Sequence, residues 1–160
     1  MKTVVSAKTI FTNPIHLLAF GFGSGLSPKA PGTMGTLAII PFYYYASALS
    51  LEYYLALCLF VSLIGITICG KSAKLLKTHD HPGIVWDEFT GFLITMIAVP
   101  LSWQNIILGF ILFRIFDIFK PWPISWLDKH VDGGLGIMLD DILAGLLSLA
   151  CLHIMLNYWL

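Results

Sequence analysis

The run YYLALCLFVSLIGITICG, residues 53–70, decides the fold class of this chain, because it carries no charged residue. A helix that crosses the hydrocarbon core of a bilayer needs about 20 consecutive apolar residues. The whole chain is 58% hydrophobic and only 11% charged, whereas soluble domains carry about 25% charged residues. The sequence therefore predicts an integral membrane protein with a transmembrane helix at this run.

Four further apolar runs flank this one, at 36–49, 89–101, 106–119 and 142–160. The runs 89–101 and 106–119 are short, so they form either two thin spans or one re-entrant hairpin. Asn13 before Pro14 marks the start of a short N-terminal helix over 15–22, with Asn as N-cap and Pro at its first position. The predicted fold is an all-α, multi-span membrane helical bundle with about four to five apolar helices plus this short helix. We expect one domain over 1–160.

The basic residues predict how the bundle is oriented. They lie before the first apolar run, after the second, and from the end of the fourth to the start of the fifth: Lys2, Lys8, Lys29, Lys71, Lys74, Lys77, Arg114, Lys120 and Lys129. The positive-inside rule then places the N-terminus and the segments 70–88 and 114–140 in the cytoplasm. We expect Trp103, Tyr158 and Trp159 on the opposite side, as an aromatic belt.

The acidic residues are few and clustered along the sequence. Eight of the nine fall between positions 80 and 141, and five of them abut or interrupt apolar runs: Asp87, Glu88, Asp117, Asp140 and Asp141. A carboxylate at mid-bilayer costs about 2.5–3.5 kcal/mol, so five facing lipid would cost more than about 10 kcal/mol. They must converge on a shared partner, and a divalent metal with a phosphate is the leading candidate.

The two acidic pairs are each expected to open a helix. Asp87 and Glu88 precede the run 89–101, where carboxylates complement the helix dipole, and simple capping is the alternative to a catalytic role. Asp140 and Asp141 precede the last run. The small residues after them, Ala144 and Gly145, predict close packing of that helix on a neighbour.

Arg114, Asp117 and Lys120 recur at a spacing of three, which places them on one stripe of a helix. Pro121 disfavours helix at Lys120, so the helix should end there. The stripe is either an internal ion-pair network or a metal-binding carboxylate between two cations that bind phosphate.

The loop GSGLSPKAPGTMGT, residues 23–36, offers backbone amides, hydroxyls and Lys29 ahead of an apolar helix. Such a loop suits an anion, with Thr33 as a further contact, although a rigid connector is the alternative. It lacks the spacing of a Walker A loop. His79 and His81 alternate in another loop and are either metal ligands or solvated side chains.

Four segments in order resemble the phosphatidylglycerophosphatase A family: GSGLSPKAPGTMGTL, HDHPGIVWDEF, FRIFDIFKPWPISWLD and GGLGIMLDDILAG. The resemblance covers roughly residues 13–150. It implies a Mg²⁺-dependent enzyme of the bacterial inner membrane that converts phosphatidylglycerophosphate to phosphatidylglycerol and phosphate. It also implies a compact helical array around a central helix.

Phosphate monoester hydrolysis is among the slowest uncatalysed reactions, and it depends on electrostatic stabilisation by metal ions and cations. We expect Asp87, Glu88, Asp117, Asp140 and Asp141 to supply the Mg²⁺ ligands and a general base. Arg114 and Lys120 would hold the phosphate, with help from Lys29 and Thr33.

Two alternatives remain open at this point. A small transporter with intramembrane carboxylates would place its acids near mid-span rather than at helix starts. A CDP-alcohol phosphotransferase would share the spacing of Asp128, Asp132 and Asp140, but the other elements of its signature are missing. The net charge of zero gives no indication of nucleic acid binding.

Overall fold

The computed structural model describes residues 5–78 and 81–158, and all regular elements in these two ranges are helical. The α-helices there are α1 (Ala7–Thr12), α2 (Pro14–Ala19), α3 (Pro31–Ala46), α4 (Leu51–Leu76), α5 (Trp86–Thr95), α6 (Trp103–Phe119), α7 (Ile124–His130) and α8 (Gly133–Tyr158). A 3₁₀ segment, Gly21–Leu26, lies between α2 and α3. The all-α fold class is confirmed.

The predicted N-terminal helix begins where the sequence indicates. The Asn13 side chain accepts a hydrogen bond of 2.9 Å from the Ile15 backbone N–H, and Pro14 occupies the first turn of α2. The helix ends at Ala19, earlier than expected, because the backbone turns into positive φ at Gly21 and then at Phe22. Helices α1 and α7 were not predicted, since elements this short are stabilised mainly by tertiary packing.

Two helices in the described ranges are long and apolar enough to cross a membrane, α4 and α8, each with 26 residues. Helix α5 has ten residues, a length of about 15 Å against a hydrocarbon core of about 30 Å. The predicted count of four to five spanning helices is therefore not confirmed. The run 89–101 forms a short buried helix followed by a turn, rather than a span of its own.

Helix α5 is the central helix of the bundle. Every residue from Glu88 to Met96 is buried, and α3, α4, α6 and α8 pack around it. The surrounding helices expose large apolar side chains, including Phe42 of α3 and Leu59 of α4. Extensive exposed apolar surface is unfavourable in water, so this surface favours a membrane protein.

Close packing of α8 on a neighbour is observed, and the neighbour is α5. A Cβ atom added at Gly145 would lie 2.5 Å from the Gly91 carbonyl oxygen, and one added at Gly91 would lie 2.8 Å from the Asp141 carbonyl oxygen. Ala144 is fully buried. The two helices thus approach within backbone contact, which side chains larger than hydrogen at these positions would prevent.

Asp140 and Asp141 do not open the last helix as predicted. Helix α8 begins at Gly133, so this pair lies about two turns inside it. The glycines ahead of the pair belong to the start of this helix, and a Cβ at Gly134 would overlap the Ile66 carbonyl oxygen of α4. Helix α3 also begins early, at Pro31 instead of 36, for the related reason that its first turn packs closely on α5 and α6.

The predicted aromatic belt has two described members at one end of the bundle. Trp103 begins α6 and is 69% exposed, and Tyr158 ends α8 and is 81% exposed. Gln104 and Asn157 line one shared cavity there, which places these two helix ends side by side. Trp159 lies outside the described residues.

Gly145→Ala tests the α5–α8 contact, because the sign of its effect on the free energy of unfolding depends on how closely the helices pack. Ala favours helix over Gly by about 1 kcal/mol, so in a loosely packed helix this change would stabilise the protein. Here we expect the free energy of unfolding to fall by about 1–3 kcal/mol, because the added methyl group would clash with the backbone of α5. Reversible unfolding in detergent measures it.

The matched control is Ala150→Leu, an enlargement on the exposed face of the same helix. Its effect should stay within about 0.5 kcal/mol. A gain of stability in Gly145→Ala would show that the two helices are not in tight contact.

Candidate active site

Three of the five predicted acids meet at one point. Asp87 and Glu88 lie in the first turn of α5, as expected, and Asp141 faces them from α8. One carboxylate oxygen from each residue lies within 4.8 Å of the other two. We call these three residues the carboxylate cluster. Gly91 and Gly145 lie about one turn further along α5 and α8, so their contact sets the spacing of the cluster.

Two members of the carboxylate cluster, Glu88 and Asp141, are buried and incompletely satisfied, whereas Asp87 is half-buried. Glu88 is 9% exposed and Asp141 is 2% exposed. The Glu88 Oε2 and Asp141 Oδ2 atoms have no hydrogen-bond partner among the described residues. Buried carboxylates without partners are strongly unfavourable, so these oxygens require a proton or a cation.

Arg114 is the cation nearest to the carboxylate cluster. Its Nη1 atom lies 2.7 Å from Asp117 Oδ2 and 3.8 Å from Glu88 Oε1. Asp117 is the next residue on the predicted stripe of α6, three positions after Arg114. The Arg114 Nε atom has no hydrogen-bond partner in the described ranges. Asp117, the acid inside a helix, therefore has its counterion beside it. The guanidinium keeps an unused donor.

The N-terminus of α3 reaches the same place through Gly32, which the sequence predicts to lie in the loop 23–36 rather than in a helix. A Cβ at Gly32 would lie 3.1 Å from both terminal nitrogens of Arg114 and would overlap Glu88 Oε1. No side chain in the described residues caps this helix. Its first-turn amides are therefore available to an anion. Pro31 ahead of Gly32 is the sequence signal that could have identified this helix start.

The two loop residues predicted to bind phosphate lie on either side of this helix start. Thr33 is half-buried in the first turn of α3, whereas Lys29 is exposed two residues before the helix. The backbone carbonyl of Lys29 accepts a hydrogen bond of 2.8 Å from Ser27 Oγ, which orders the turn. Their position beside the site is compatible with the prediction, and their contact with a ligand stays a prediction.

Lys120 belongs to a second, adjacent ion-pair group. It ends α6 with φ +41°, as Pro121 predicted. Its Nζ atom lies 2.7 Å from Asp128 Oδ1 and also contacts Asp140 Oδ2. Burial alone would lower the pKa of this ammonium, but the hydrogen bonds to Asp128 and Asp140 outweigh it and raise the pKa. Lys120 thus neutralises Asp140, while Asp128 was not predicted as its partner, because no spacing rule connects the two.

His81 does not join the carboxylate cluster in the described residues. Its Nδ1 atom accepts a hydrogen bond of 3.0 Å from the Gly83 backbone N–H, and its ring lies against Phe20. The ring therefore orders the loop ahead of α5. His79 lies outside the described residues.

Lys120→Met should destabilise the protein by about 3 kcal/mol, because it leaves the buried carboxylate of Asp140 without its cation. Asp128→Asn is the matched control, since it removes the other, exposed partner of the same lysine. That loss should not exceed about 1 kcal/mol. Equal losses of stability in the two variants, measured by unfolding in detergent, would contradict a larger contribution from the buried ion pair than from the exposed one.

Comparisons with known proteins identify the family. The family model described as Phosphatidylglycerophosphatase A matches residues 17–156. A phosphatidylglycerophosphatase A of Escherichia coli (strain K12) is 48% identical over 159 residues, covering 99% of this chain and 92% of that protein. One from Haemophilus influenzae is 44% identical over 155 residues, covering 96% and 94%.

A more distant relative, from Bacteroides thetaiotaomicron, is named provisionally as a phosphatidylinositol-3-phosphatase. It is 37% identical over 140 residues, covering 82% of this chain and 87% of that protein. No solved structure matches the chain significantly. The family match spans most of the chain and includes all five acids, so the chain belongs to the phosphatidylglycerophosphatase A family.

Proposed function

We propose that this protein is a Mg²⁺-dependent phosphatase that hydrolyses phosphatidylglycerophosphate to phosphatidylglycerol and phosphate at the cytoplasmic face of the bacterial inner membrane. Phosphatidylglycerophosphatase activity rests on the family. The metal dependence rests on the carboxylate cluster and on the unpartnered buried oxygens of Glu88 and Asp141. Family membership also disfavours the transporter and the CDP-alcohol phosphotransferase.

The donor set of the carboxylate cluster suits Mg²⁺. This ion prefers oxygen ligands and is usually bound by a few carboxylates together with water and substrate phosphate. Asp87, Glu88 and Asp141 would hold it, and the unpartnered oxygens of Glu88 and Asp141 would then be satisfied. Bound Mg²⁺ polarises a phosphoryl oxygen and lowers the pKa of a coordinated water.

The phosphate would lie between Arg114 and the start of α3. A Cβ at Gly32 would lie 3.1 Å from both terminal nitrogens of Arg114, so the guanidinium and the first turn of α3 are close enough to contact one phosphate. Asp117 fixes the guanidinium through its 2.7 Å ion pair. These donors stabilise the charge on the equatorial oxygens in the transition state, which is the main demand of phosphoryl transfer. Lys29 would add a positive charge and Thr33 a hydroxyl beside this phosphate, and the ion pair of Lys120 with Asp140 lies next to the site in the chain.

Substitution of the acids by their amides tests the proposal while preserving shape. Asp87→Asn, Asp117→Asn and Asp141→Asn should each lower kcat by at least about 100-fold, because each removes a charge that orders the metal or Arg114. Phosphate release from phosphatidylglycerophosphate in detergent micelles is the measurement, with Mg²⁺ and with EDTA. Release by the unmodified protein should stop in EDTA.

Glu52→Gln is the matched control, because Glu52 is exposed in the first turn of α4 and lies outside the site. It should keep normal turnover. Near-normal activity in any two of the three amide variants would reject the site, and metal-independent release would reject the role of Mg²⁺.

The proposed orientation is tested by single-cysteine labelling in sealed inverted vesicles. Lys74→Cys, near the C-terminal end of α4, should react with a membrane-impermeant maleimide from the cytoplasmic side. Gln104→Cys, at the start of α6, should react only after the vesicles are opened. Both side chains are exposed, so access to the reagent depends on the side of the membrane. The reverse pattern would place the carboxylate cluster on the other face.

A further inference from the structure

An apolar groove runs between α3, α4 and α5. It has a volume of about 250 Å³, and the side chains that line it are all apolar, including Ile39, Phe42, Ala46, Leu57, Val61 and Trp86. None of them serves the proposed phosphate site. A groove of this composition offers no hydrogen bond to a polar ligand and gains only from burying hydrocarbon.

One end of the groove adjoins the carboxylate cluster. Trp86 and Phe89 line the groove, and the residues between them in the chain are Asp87 and Glu88. The Trp86 Nε1 atom donates a hydrogen bond of 3.1 Å to the Val61 carbonyl oxygen, which fixes the indole between α4 and α5. The first turn of α5 thus presents carboxylates to one side and aromatic groove walls to the other.

The groove follows α3 away from the phosphate site. Gly32 contacts Glu88 at the start of α3, and Ile39 and Ala46 line the groove further along the same helix. The rise of an α-helix places Ile39 about 10 Å from Gly32 and Ala46 about 10 Å beyond that. The α3 wall of the groove therefore begins about 10 Å from Gly32 and continues along the helix axis, while Trp86 and Phe89 form the end beside the acids.

The far side of the groove opens towards apolar surface. Phe42 lines the groove and is also exposed, and the ring of Phe22 stacks on it at a centroid distance of 6.3 Å. Phe22 has φ +56°, a left-handed conformation that bulky residues rarely adopt. The fold thus holds an aromatic pair at the groove mouth, beside the exposed apolar face of α4.

We propose that this groove binds an acyl chain of the phosphoglycerolipid substrate while the terminal phosphate lies at the carboxylate cluster. The proposal rests on the proposed function, because it assigns a site to the part of the substrate that the phosphate site leaves unbound. An acyl chain matches the groove in polarity, in direction and in its continuity with the site. The groove residues then determine the affinity for the lipid, and the cluster determines turnover.

Variants that fill the groove with a larger side chain test whether the groove determines lipid affinity and the carboxylate cluster determines turnover. Ala46→Phe and Val61→Phe should raise KM for a dihexadecanoyl substrate by about tenfold, the equivalent of roughly two methylenes losing their burial, with kcat within about twofold. Inhibition by the deacylated headgroup, which has no chain to bind, should keep its Ki. Leu59→Phe is the matched control, because Leu59 is exposed on α4 and lies outside the groove.

A second measurement does not depend on the variants folding well or on turnover. A substrate lipid with a photoreactive diazirine at the end of one acyl chain is irradiated with the unmodified protein in micelles. The cross-linked peptides should come from α3 and α4 at the groove, in excess over those from the exposed face of α4.

Several outcomes separate the two proposals. An unchanged KM in the two well-folded groove variants, an equal rise in Leu59→Phe, or cross-links spread evenly over exposed apolar surface would each overturn the acyl-chain site. Absence of phosphate release by the unmodified protein would overturn the proposed function instead. The cross-linking pattern would still report on the groove in that case.

Discussion

The backbone contact between Gly91 of α5 and Gly145 of α8 is the constraint on which the candidate site depends. It brings a ten-residue buried helix against a 26-residue apolar one and sets Glu88 opposite Asp141. Larger side chains would separate the helices and with them the carboxylates. The fold therefore holds like charges together in a buried place, where their repulsion and desolvation oppose folding. Packing elsewhere in the bundle must supply the stability that makes this arrangement possible.

The charges of the site do not balance by themselves. Among the described residues, six carboxylates lie at this part of the bundle, and the cations paired with them are Arg114 and Lys120. Lys120 is engaged by Asp140 and Asp128, so Arg114 alone faces the carboxylate cluster among the described residues. A phosphate could not approach such a surface without additional positive charge. This imbalance is the physical argument for a divalent cation, and it explains why an uncapped helix N-terminus adjoins the acids.

Local rules predicted the parts of the fold that local chemistry determines. The Asn13 cap, the end of α6 before Pro121 and the pairing of Arg114 with Asp117 follow from a few neighbouring residues. The count of spanning helices did not follow, because an apolar run has the same composition whether it faces lipid or other helices, as α5 shows. The start of α8 was missed because glycine marks both loops and close helix contacts. The position of α4 beside Gly134 shows that this glycine serves a close helix contact rather than a loop.

Helix α3 connects the carboxylate cluster with the apolar groove. Asp141 is 2% exposed and lies about two turns inside α8, so a ligand has to enter the bundle to reach it. The start of α3 lies against Glu88 and Arg114, because Gly32 has no side chain that would separate this helix from them. The same helix then leads along the apolar groove to Ala46. One helix thus offers backbone amides to an anion at its first turn and an apolar wall further along. A phospholipid has the same order of groups, from its terminal phosphate to its acyl chains.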